Sequence, residues 1–93
     1  MNIQRLRNLT TGRLHTKIEH VYEDLATITA QKGLMTHILP RVNEAIQPWL
    51  RENAPDPRLW NGELDTTHTG EFDLPQPTTE DRAAMFSRFK ELN

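Results

Sequence analysis

Two runs of apolar residues at helical spacing, divided by a single glycine, constrain this chain more than any other feature. Leu14, Ile18, Val21, Tyr22, Leu25 and Ile28 recur at steps of four, three, one, three and three, which places them on one side of a helix. Ile38, Val42, Ala45, Ile46, Trp49 and Leu50 make a second such stripe. Thr10 or Thr11 reads as a cap for the first, with Gly12 freeing the backbone at the junction and Gly33 as a stop, so a helix is predicted over residues 11–33. A second is predicted over residues 36–52, with Pro40 near its start and a kink or break near Pro48, which cannot donate a hydrogen bond back to Glu44. Helices joined by a short linker pack as an antiparallel hairpin.

The remaining segments are shorter. Residues 2–9 offer about two turns of helix with Ile3 and Leu6 on one side, too little to stand alone. Residues 53–77 hold four of the six prolines and several acids, with turn signals at Asn61-Gly62 and Thr69-Gly70. Leu64, Phe72 and Leu74 suit either a short β-ribbon or an irregular excursion. Thr78 followed by Glu80 and Asp81 starts a third helix over residues 78–92, whose apolar face is Met85, Phe86, Phe89 and Leu92. The fold class expected is mainly α: an antiparallel helical hairpin plus a C-terminal helix, with the ribbon or excursion between them, all in one small domain, residues 1–93.

A chain of 93 residues that is only 35% apolar makes a thin core, so helices shared with a second copy are expected, as a homo-oligomer (dimer or higher). There is no cysteine, hence no disulfide and no thiolate chemistry. No apolar run is long enough for a membrane span or signal peptide, and a cytoplasmic protein is expected. Net charge is −2, unevenly spread: residues 1–51 carry seven Lys/Arg against four acids, residues 52–93 four against nine.

The chemistry-bearing residues argue for gripping over converting. Ser87 lies late in a helix, far from any nucleophile-elbow pattern, and no catalytic residue is assigned. His15 and His20 are five apart and fall on different sides of a helix, so no metal ligand and no cofactor are assigned either. More suggestive is threonine beside histidine, with arginine near, where the long helices are expected to begin. Thr11, Gly12, Arg13 and His15 form one such group, Thr36, His37 and Arg41 a second, and His68 with Thr69 could fold over from the excursion. Helix starts present free amides, and hydroxyls and guanidinium groups add donors, which together suit a phosphate or nucleotide-type anion. Direct nucleic-acid binding through Arg5, Arg7, Arg13 and Lys17 is not favoured, because aromatic interleaving is sparse and the overall charge is negative.

The blocks NLTTGRLHTKIEHVYEDL, GLMTHILPRVNEAIQPWLRE and LWNGELDTTHTGEFDL resemble short proteins of a tailed-phage and prophage family with no assigned chemistry. The resemblance implies a phage-encoded, non-enzymatic protein that counters host defence in the host cell cytoplasm. Its partner is then a nucleotide-type small molecule or a host protein. In the second case the acidic half, with Asp56, Glu63, Asp65, Glu71 and Asp73, would carry the contact.

Overall fold

The computed structural model describes residues 1–61 and 70–92. Its architecture is mainly α, as expected, with five α-helices among the described residues. The first is one that the sequence undervalues. Helix α1 spans Ile3–Thr11 and is capped by Asn2, whose Oδ1 accepts from the amides of Gln4 at 2.8 Å and Arg5 at 3.3 Å. It ends at Gly12, whose φ of +71° is the left-handed turn that glycine tolerates best. The Thr-Thr-Gly run therefore closes a helix instead of opening one. This corrects the helix predicted over residues 11–33.

Helix α2 starts six residues after Gly12 and spans Ile18–Thr29. Asn8, inside α1, holds the intervening turn: its Oδ1 accepts from the amides of His15 (2.6 Å) and Thr16 (3.2 Å), and its Nδ2 donates to the Thr16 hydroxyl (2.7 Å). At the far end Ala30 turns left-handed (φ +57°) and donates to Ala26, so α2 stops before Gly33. The Thr27 and Thr29 hydroxyls bond back to the carbonyls of Glu23 and Leu25, a habit that weakens a helix near its end.

A 3₁₀ turn, Thr36–Ile38, leads into α3, Leu39–Asn53. This helix runs continuously through Pro48, so of the kink or break expected there the break does not occur. The Glu44 carbonyl, which Pro48 cannot satisfy, is reached instead by Nε of Arg88 at 3.3 Å. Asp56 caps the short α4, Pro57–Trp60. Helix α5, Thr79–Glu91, carries the predicted capping box: Thr78 Oγ1 accepts from the Asp81 amide and Asp81 Oδ2 from the Thr78 amide.

No strand occurs among the described residues; the excursion shows an isolated antiparallel bridge between Asn2 and Glu71. There the Ile3 amide donates to Gly70 O (3.0 Å) and the Phe72 amide to Met1 O (2.7 Å). The Asn61-Gly62 and Thr69-Gly70 turns and Leu64 fall wholly or partly outside the described residues. The core sits between α1, α2, α3 and α4, centred on Leu6, Leu9, Leu25, Ile46, Leu50 and Leu59, each at most 1% exposed. Helix α5 lies on the outer face of α3, antiparallel to it: Arg88 pairs with Glu44, while Asp81 and Trp49 border one small cleft. No helix among the described residues is long and apolar enough to cross a membrane.

Candidate functional site

Where α5 crosses α3 the two helices do not close completely. The α3 stripe continues upstream through Ile38 and presents Val42 and Ala45; Leu34 from the preceding connector adds to the same wall. From the other side α5 contributes Met85, Phe86 and Phe89. Between them lies an open groove of about 410 Å³, within the range of sites that take an apolar ligand or a helical side-chain row. Thr29, Gln31, Thr79 and Arg82 give it a polar end. Arg82 is fixed there because its Nε donates to Ile28 O (3.0 Å) and an Nη to Thr27 O (3.3 Å), covering carbonyls that end α2.

Cations flank the aromatic walls. The Arg41 guanidinium lies 4.0 Å from the Phe89 ring centroid, and Lys90 Nζ lies 4.8 Å from that of Phe86. Phe86 is 55% exposed, and Met35, next to the groove-lining Leu34, is 62% exposed. The apolar face read from the sequence is thus split. At about 100° per residue Phe89 and Leu92 fall within roughly 40° of Met85, whereas Phe86 lies about 100° away and faces outward. The breadth of that stripe was the signal for a second, uncovered face.

The residues chosen from the sequence fall into two places. Thr11, Gly12, Arg13 and His15 surround the end of α1, where a helix presents carbonyls and a partial negative charge. The anion site is motivated by the amides of a helix start, whereas the structure puts a helix end at these residues. The Thr11 hydroxyl donates to Arg7 O at 2.6 Å and accepts from the Arg13 amide at 3.2 Å. Its proton being used, the 3.1 Å contact with His15 Nε2 requires that nitrogen to be the donor. Burial, with Arg7 and Arg13 nearby, holds the His15 pKa below the ordinary histidine value.

The second group does sit at a helix start. Thr36 and His37 are exposed in the 3₁₀ turn that opens α3, and Arg41 follows one turn on. Yet Ile38 and Leu39 spend their amides on Met35 and Thr36, and Pro40 has none. The Thr36 hydroxyl is hydrogen-bonded to that of Tyr22, and Arg41 rests on Phe89. His68 and Thr69, like Glu63 and Asp65, lie outside the described residues. Among the other acids of the second half, Asp56 caps α4 and pairs with Arg58 (2.7 Å), and Glu71 pairs with the terminal ammonium (3.3 Å).

Sequence reasoning missed Asn8 and placed Arg7 on a surface strip, whereas both are buried inside α1. Arg7 donates to the Asn61 side chain at 2.9 Å and so ties α1 to the end of α4. Among the described residues no group of three or more His, Cys, Asp or Glu is placed to hold a metal ion.

The family described as Domain of unknown function (DUF7736) matches residues 1–60, about two thirds of the chain. The chain belongs to that family. The matched segment is α1 to α4, which is the core and the α3 wall of the groove; α5, the other wall, lies beyond it. No curated protein and no solved structure matches the chain.

Proposed function

We propose that the protein works by binding, with no chemical conversion of its partner, and that its contact surface is the groove between α3 and α5. The observation that carries this is the groove itself, about 410 Å³, walled by Val42, Met85, Phe86 and Phe89 and left open with an aromatic ring exposed at its rim. Apolar surface gathered in one concave strip between helices suits the apolar face of another helix. In the setting implied by the resemblance to phage proteins, that helix belongs to a host protein that the phage must disable.

The nucleotide reading retains one support, the exposure of Thr36 and His37 at the start of α3 with Arg41 a turn away. The two readings separate in a single titration. Amide spectra of the ¹⁵N-labelled protein are followed while amphipathic helical peptides, and separately cyclic and linear nucleotides, are added. Saturable shifts at Ile38, Val42, Ala83 and Phe86 with a peptide support the groove. Shifts limited to Thr36, His37 and Arg41 with a nucleotide support the sponge. If neither set of ligands moves any of these amides, binding through this surface is refuted.

A further inference from the structure

The two walls of the groove are not equally fixed. Of the 13 residues of α5 only Met85 is buried, against six in α3. A helix held by so little apolar contact lies at the low end of local stability. Its footing is also narrow. Met85, with Ala45 of α3, borders both the groove and a second cleft of about 170 Å³ on the opposite flank of α5. We infer that α5 rocks on this footing and that the motion widens the groove for an incoming helix. That use of it rests on the binding reading, whereas the motion itself belongs to the free protein.

The angular order of side chains along α5 shows why the footing is a single ridge. At about 100° per residue, Phe89, Arg82 and Phe86 lie roughly 40°, 60° and 100° to one side of Met85. Asp81, Arg88 and Ala84 lie at the same angles on the other side. The first three line the groove and the second three the smaller cleft. A roll of α5 toward the smaller cleft therefore fills one space and enlarges the other. Methionine suits such a pivot, because its unbranched side chain adjusts to changes of shape. The polar ties differ between the flanks. On the groove side Arg82 reaches across to the Ile28 and Thr27 carbonyls of α2, and Arg41 rests on the Phe89 ring. On the far side Arg88 holds both the carbonyl and the carboxylate of Glu44 on α3. Rolling away from the groove keeps Arg88 close to Glu44 and stretches the span to α2, which makes Arg82 the latch.

Relaxation dispersion of the ¹⁵N-labelled full chain without ligand tests the motion, since shifts of a packed helix fall in the microsecond-to-millisecond range. Expected is one shared exchange process at the amides of Arg82, Ala83, Ala84 and Phe86 and at the Trp49 indole N–H, with Leu6 and Leu9 of α1 flat. Arg82→Met keeps the apolar stem, frees the latch and should raise the minor population about threefold. Ala84 is exposed and borders the smaller cleft, not the groove. Ala84→Leu should therefore suppress the exchange by blocking the roll, with helical circular dichroism unchanged, and Ala84→Ser, which adds little bulk, should leave it. Flat dispersion throughout wild-type α5 overturns the inference, as does exchange indifferent to Arg82→Met or to Ala84→Leu. Titrated with an amphipathic Leu/Lys helical peptide, Arg82→Met should bind about threefold more tightly than the wild type and Ala84→Leu about threefold more weakly. Peptide binding unchanged by Ala84→Leu overturns the widening and the inference with it. A protein whose α5 exchanges as expected but that takes up no peptide refutes the binding reading alone and upholds the motion.

Discussion

Single side chains here often finish a job that the backbone cannot. Pro48 leaves the Glu44 carbonyl without its helical donor, and Arg88 of α5 supplies one while its guanidinium also pairs with the Glu44 carboxylate. Removing the arginine by Arg88→Ala should destabilise the fold by about 0.5–1 kcal/mol, since the bond is solvent-facing. In a Pro48→Ala background the helix makes its own bond, and that cost should shrink. A double-mutant cycle in urea, showing coupling between positions 48 and 88, checks the assignment. His15 gives a pH-dependent counterpart. Its pKa is lowered in the folded chain by burial and then by Arg7 and Arg13, so the unfolded chain binds the proton more readily. The stabilisation is complete above the unfolded value of about 6.5 and is lost as pH falls through the lower folded value. Thermal melts between pH 7.5 and 5 should show a fall in Tm that is smaller in His15→Gln.

At the scale of elements, what the sequence disclosed depended on whether its signals were unique. The Thr78 capping box and the Ile38–Leu50 stripe each admit one interpretation, and α5 and α3 follow them. Thr-Thr-Gly admits two, because threonine caps a helix start while glycine after an apolar run marks a helix end. The tie is broken by Asn2, a good cap at the right distance from Ile3, and by Asn8, whose side chain organises the turn after Gly12. Only three-dimensional packing shows the second of these, since an asparagine in mid-helix is ordinarily a surface residue. The conformation at Gly12 makes this testable. An added Cβ would meet no atom within 4 Å, so Gly12→Ala isolates the backbone term, expected at about 1 kcal/mol. Gly12→Asn should cost less. Equal stability of the glycine and alanine proteins in urea melts would mean that α1 does not end there.

For the molecule as a whole, α1 decides cohesion although it is only nine residues long. It packs on α2, α3 and α4, and Leu6 and Leu9 are completely buried among them. Leu6→Ala should therefore cost about 2–5 kcal/mol, a large part of the stability of a chain this size, with all helices lost in one transition by circular dichroism. The apolar period alone could not have ranked this helix above its longer neighbours, because rank depends on how many other elements surround it. The groove was hidden for a related reason. Periodicity identified Val42, Met85 and Phe89 as inward-facing but carried no information on how far apart two inward faces would settle.

Arg82 and Arg88 between them reach carbonyls at the end of α2 and in the middle of α3. A chain ending before Thr79 would thus be more than a shortened version of the same protein. It would bare a stripe of oil-like surface and strand three oxygen acceptors beside it, so such a truncation should stain with hydrophobic dyes and clump on standing.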